Sequence, residues 1–167
     1  MKTNELLAEI HGRLPDLVKG AVKDLTPEQL ATAPAPGANT VGWLVWHLAR
    51  GQDSQIADLL GEDQIYETGT WAASFGLKPD PSDTGYGHTP DQVTQVRPTS
   101  SKALIDYYEA VHARTAGYLS GLTDKDLDRI ADDAWDPPVT LGVRLISILD
   151  DDTQHAGQAA YARGLLS

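Results

Sequence analysis

Residues 140–165 read TLGVRLISILDDDTQHAGQAAYARGL, and this stretch decides how the chain folds. Leu141, Leu145, Ile148, Leu149, Ala156, Ala159 and Ala160 recur at three- and four-residue steps, the mark of a helix that buries one face. With Asp151 set at zero on a helical wheel, those residues spread from about 60° to 180°, His155 falls near 40° and Asp152 near 100°. Asp150 can therefore face water, Asp151 and His155 share the edge of the buried arc, and Asp152 points close to its centre. A buried carboxylate is costly unless it is paired or coordinates a cation, so a positive partner is expected there.

Outward from this helix the chain shows three more periodic stretches. Glu5 to Leu25 carries one apolar stripe, including Leu6, Ile10, Leu14, Leu17, Val18 and Val22, with a kink expected at Pro15. Thr26-Pro27-Glu28-Gln29 opens a short capped turn that Pro34 and Pro36 end. A second helix is predicted from about Thr40 to Leu60, capped by Asn39 or Thr40 and closed by Gly61, and a third from about Ser101 to Leu122. Thr123 to Leu127 reads as a capped turn, and Pro137-Pro138 bars helix before the last one begins near Thr140. No stretch alternates convincingly as a strand. The expected fold is all-α, a four-helix bundle forming a single domain over 1–167.

Between helices 2 and 3 lies a long loop, Glu62 to Thr99, rich in glycine and proline yet carrying Tyr66, Trp71, Phe75 and Tyr86. The aromatics predict a packed lid, because a solvated linker has little use for them.

Composition narrows the chemistry. A formal charge of −11 opposes docking to phosphate backbones or anionic lipid, so neither nucleic acid nor membrane is an expected partner. There are no cysteines, which excludes a disulfide framework, a thiolate zinc site and a Cys nucleophile. Any thiol must arrive with a small molecule. Glu5 and Glu9 interrupt the stretch a signal peptide would need, and no run of about 18 apolar residues occurs, so the cytoplasm is the expected location. Serine-hydrolase, P-loop and dinucleotide glycine signatures are missing, as are paired E-x-x-H motifs of a diiron bundle.

The second informative segment is TVGWLVWHLARG, residues 40–51, in which His47 borders the buried arc one turn before Gly51. Two histidines and one carboxylate drawn from two helices would make a facial set of three, leaving positions open for water or substrate as catalytic metal sites do. Asp152 competes with Asp151 for the carboxylate role, or serves as the acceptor that fixes a histidine tautomer. Without an ion, the same groups would be part-buried histidines bonded to Asp151 or Asp152.

The pairing of T-x-G-W-L-x-x-H-L-A on an early helix with D-x-x-x-H-x-G-Q on the last one resembles the DinB-like superfamily of metal-binding four-helix bundles, in the branch of the mycothiol-dependent maleylpyruvate isomerase metal-binding domain. The resemblance implies metal ligands at His47, Asp151 and His155, the carboxylate at Asp151 matching that branch where many other members have histidine. It also implies a divalent metal, zinc foremost with nickel, iron and manganese compatible, and mycothiol or a similar low-molecular-weight thiol as cosubstrate. By analogy with related bundles a homodimer is expected.

The leading functional expectation is a metal- and thiol-dependent transferase or isomerase acting on a small-molecule thiol and an electrophilic substrate beneath the 62–99 lid. Two other readings stay open, a non-catalytic or stress-associated metal-binding interaction module and a metal-dependent hydrolase. Of the remaining polar residues, His11 and His112 read as surface or boundary positions, His88 as a loop histidine in solvent ahead of a loop ligand or base, and Arg50 and Arg163 as solvated helix-face arginines ahead of holders of an anionic substrate. Trp43, Trp46 and Trp71 read as packing residues near the entrance.

Overall fold

Three side-chain hydroxyls start the long helices. Thr40 Oγ1 accepts from the Trp43 N–H (3.0 Å), Ser100 Oγ from Ala103 (3.1 Å) and Thr140 Oγ1 from Val143 (3.3 Å), each satisfying a donor that the first helical turn leaves without a partner. The computed structural model describes residues 1–166, so the last residue of the expected domain, Ser167, lies outside the described residues. In chain order the elements are α1 (Thr3–His11), α2 (Leu14–Val22), α3 (Pro27–Leu30), α4 (Val41–Leu60), α5 (Trp71–Ser74), α6 (Pro90–Val93), α7 (Ser101–Ser120), β1 (Ile130–Asp132), β2 (Val139–Thr140) and α8 (Leu141–Leu165), with 3-10 turns at Ile65–Glu67 and Asp124–Asp128. Both α4 and α2 pack against α8 and α7, so the four close a ring around one axis. No helix among the described residues is long and apolar enough to cross a membrane.

The all-α expectation holds, with three local corrections. The first stretch is two helices rather than one kinked helix: Pro15 has no N–H to give and sits at the start of α2, and the chain breaks at Gly12 and Arg13. The apolar stripe is not wholly buried, since Leu6, Ile10 and Leu17 are 55%, 41% and 51% exposed. A small antiparallel hairpin, β1 with β2, precedes α8; strands of three and two residues are too short for alternation to show. The 62–99 segment is packed as expected, with Tyr66, Ala72, Phe75, Val93 and Val96 buried.

A polar layer divides the core. One apolar cluster includes Leu14, Val18, Leu44, Leu48, Val111 and Ala156; the other comprises Ile56, Leu119, Leu141, Leu145 and Ile148. Between them along the helices lie Gln52 of α4, His112 and Thr115 of α7 and Asp152 of α8, while His11 ends α1 just before Leu14. Gln52 Nε2 donates to Thr115 Oγ1 (2.7 Å), but Gln52 Oε1, both His11 ring nitrogens, His112 Nδ1, Tyr108 OH and both Asp152 oxygens are buried with no hydrogen-bond partner among the described residues. His11 is therefore a core residue, 1% exposed, rather than a surface one. Burial first, and His112 second, pull its pKa down to about 4.

Candidate metal centre

His47 lies on α4, and Asp151 and His155 lie on α8, one turn apart; the packing of these two helices brings all three side chains together. One ligand-capable atom from each falls within 4.8 Å of the others, and among the described residues this is the one such group of three or more. The imidazole rings of His47 and His155 meet edge to face at 4.7 Å, and His155 Nε2 lies 3.4 Å from Asp151 Oδ1. His47 is buried, while Asp151 and His155 are partly exposed.

Both imidazoles are oriented from behind. The Nδ1 of His47 faces the backbone carbonyl of Thr84 at 2.5 Å; a carbonyl only accepts, so Nδ1 carries the hydrogen and the Nε2 lone pair is left free. His155 Nδ1 likewise donates to Gln158 Oε1 (2.8 Å). Burial lowers the pKa of His47, the hydrogen bond to Thr84 acting in the other direction. The hydrogen bond with His155 holds Asp151 below the usual carboxylate range, and the same contact raises His155. Without a cation, Asp151 and His155 are therefore drawn towards an ion pair. Two imidazoles and one carboxylate are a donor set that suits a divalent cation: the Nε2 lone pair of His47 is free, and a cation would replace the proton that His155 Nε2 shares with Asp151.

Asp152 does not take the part expected of it. It is fully buried and touches no histidine nitrogen within hydrogen-bond distance; the tautomers are set by Thr84 and Gln158. Nor does a positive group among the described residues pair with it. Burial, with Asp151 next, pushes its pKa well above the usual range, so the carboxyl answers its surroundings by holding its proton.

The lid delivers Thr84 through two buried charges. Arg50 is 0% exposed and not a solvated arginine: Nε donates to Asp83 O (3.1 Å), Nη2 to Pro81 O (3.0 Å) and Nη1 to Tyr107 OH (3.3 Å), with the guanidinium 4.0 Å from the Tyr66 ring centre. Its partner Asp53, 3.5 Å away, accepts the backbone N–H groups of Ile65 and Tyr66, each at 2.9 Å, and the Tyr107 hydroxyl at 2.8 Å. Gly85 then passes so close to α4 that an added Cβ would stand 2.8 Å from Trp46 Cζ3 and 3.0 Å from His47 Nδ1; its φ of +87° also favours glycine.

His88, expected in solvent, bridges the lid to α4. Its Nε2 donates to Asp83 Oδ1 (2.9 Å) and its Nδ1 accepts from Trp43 Nε1 (3.1 Å). Trp43 in turn stacks on His47 at 4.6 Å. Trp46 is wholly buried, as packing requires. Arg163 is tied as well, donating to Ala21 O (3.3 Å) at the end of α2. Periodicity could not find Arg50, Asp53 or His88, because α4 is buried on the lid side as well as the bundle side. The signal available was an arginine and an aspartate three residues apart, just after His47.

Beside His47 and Asp151 opens a cavity of about 380 Å³, with these two, Gly51, Ser54 and Thr84 in its wall and Tyr86, 93% exposed, at its rim. A cation held there would have accessible positions on its outer side.

The chain is similar along its length to solved structures. A conserved protein from Enterococcus faecalis shares 35% identity at a TM-score of 0.90, over 99% of this chain and 98% of that one. A DinB-like protein from Bacillus cereus shares 25% identity at a TM-score of 0.52, over 93% of this chain and 83% of that one. No curated protein matches it. Because the DinB superfamily model matches residues 12–159, which span the bundle and all three ligand-capable side chains, the chain belongs to the DinB superfamily.

Proposed function

We propose that His47, Asp151 and His155 hold a divalent cation, zinc foremost, and that the protein is a thiol-dependent transferase or isomerase of the mycothiol-dependent branch, acting in the cytoplasm. One observation carries the reading: both histidines spend Nδ1 on an oxygen acceptor, and one ligand-capable atom of each lies within 4.8 Å of the other and of the Asp151 carboxylate. A divalent ion with this donor set retains about one net positive charge and favours the ionised form of a thiol.

The residues around it bind and orient. Thr84 O and Gln158 Oε1 keep both rings in one tautomer, the Arg50 and Asp53 pair keeps the lid in place, and Trp43 covers the far face of His47. Apart from His47 and Asp151, the described wall of the cavity offers no imidazole or carboxylate as a general base. That favours a nucleophile that ionises readily, a thiol with a pKa of about 8.5, over water. The thiol proton leaves to solvent past Tyr86, the sulfur adds to an electrophilic alkene carbon of the second substrate, and the electron pair of the broken π bond takes up a proton from solvent at the neighbouring carbon.

Elemental analysis of protein purified without a histidine tag tests the site. About one divalent ion per chain is expected, lost in His47→Ala and in His155→Ala; full retention in both variants would reject it. A conjugation screen with several thiols and electrophilic substrates should give turnover that needs both metal and thiol. Turnover without thiol would turn the reading towards hydrolysis.

A further inference from the structure

The cavity in front of His47 does not end at Asp151. Gln55 of α4 and Ser147 of α8 also line a second cavity of about 430 Å³, so the two adjoin at a polar neck formed by these side chains. Beyond the neck the surface becomes apolar, formed by Trp135 of the hairpin, Val139 and Val143. Trp135 is 66% exposed and Val143 51%.

Arg144 holds this wall in position and uses its charge in doing so. Its Nη2 lies 3.2 Å from Asp132 on the hairpin and its Nη1 3.4 Å from Asp58 on α4. One guanidinium shared by two carboxylates leaves no free cation among the described residues of the recess, so it suits an uncharged group and repels an anionic one.

We propose that the recess at Trp135 is a binding subsite for an uncharged ring, carried by the same small molecule whose thiol occupies the cavity at His47. This rests on the proposed function for the thiol end alone. The order along the groove defines the ligand class: a sulfur head, a hydrogen-bonding middle that meets Ser54, Gln55 and Ser147, and a neutral ring that stacks on the indole.

Three probes test it by NMR on the zinc-loaded protein: N-benzyl-3-mercaptopropanamide, 3-mercaptopropanamide, which has the head and middle but no ring, and 4-[(3-mercaptopropanamido)methyl]benzoic acid. The Trp135 indole N–H signal is assigned from its loss in Trp135→Phe. The benzyl amide should shift that signal and bind about tenfold more tightly than the ringless amide, with the gap closing to about twofold in Trp135→Ala and largely kept in Trp135→Phe. The carboxylate probe should lose most of the advantage. If the benzyl amide moves the signals of His47 and His155 but leaves the Trp135 indole unchanged, or if Trp135→Ala keeps the tenfold gap, the subsite is overturned and the thiol reading stands. If ring-bearing probes shift the Trp135 indole and no thiol disturbs the histidines, the subsite stands and the thiol reading falls.

Discussion

Asp151 and Asp152 are neighbours on α8 with identical side chains, and their surroundings give them opposite chemistry. Asp151 looks out between two helices towards His47 and His155 and is held ionised by its contact with His155. Asp152, about 100° further round the helix, looks into the bundle and meets burial with no partner, which drives it towards the neutral acid. The candidate site is polar groups matched to one another around a shared point. The layer behind it, with His11, Tyr108, His112 and Asp152, is polar groups buried without matching. The comparison teaches that position on a helix, more than residue type, decides whether a charge is a tool or a cost.

Exchanging each carboxyl for an amide sharpens the contrast most. Asp151→Asn should weaken divalent-metal affinity by at least about 100-fold, more than is usual on losing a residue that only orients a ligand, while Asp152→Asn should leave it nearly unchanged. Competition with a chelating dye measures both, and equal losses in the two variants would erase the distinction.

Acid should act on the inner layer next. An unfolded His11 takes its proton near the ordinary 6.5, but the folded chain resists until about 4. Between those values the unfolded state binds more protons, so stability is intact above the window and falls as pH drops through it, by about 3 kcal/mol for this residue. Urea denaturation of the metal-free protein from pH 7 to pH 4 reads the slope, and His11→Leu should flatten it.

A smaller gain is expected from Asp152→Asn in the same assay. The folded state forces Asp152 to keep a proton that the unfolded state releases above the usual carboxylate range, so its burial costs more as pH rises. The amide removes that penalty, so its stabilising effect is small near pH 4 and grows towards pH 7. A gain that stays constant with pH would point to packing instead. The smallest effect belongs to Gln158→Ala on the exposed side of α8, which should lower metal affinity about tenfold by freeing the His155 ring, with unfolding unaffected.

Much of this was legible before any coordinates. A cap at Asn39 or Thr40, a helix start near Thr140, the helix end at Gly61 and the edge positions of His47, Asp151 and His155 follow from helical period and capping chemistry, and the structure places the first cap at Thr40. What escaped was burial imposed by partners distant in sequence. The wheel for α4 shows one apolar arc, yet the lid covers the other side and encloses Arg50 and Asp53. His11 lay off its stripe and still entered the core, because Gly12 and Arg13 break the helix and the stripe changes direction there. No local pattern announces that Thr84, 37 residues beyond His47, will offer its carbonyl to the ring.

The two orienting oxygens differ in how they would fare under mutation. Position 158 contributes through its side chain, so most single changes there delete the acceptor outright. Position 84 contributes through the main chain, which every amino acid supplies. Evolution can therefore redesign the lid's side chains, and with them the choice of substrate, while the imidazole of His47 keeps its alignment.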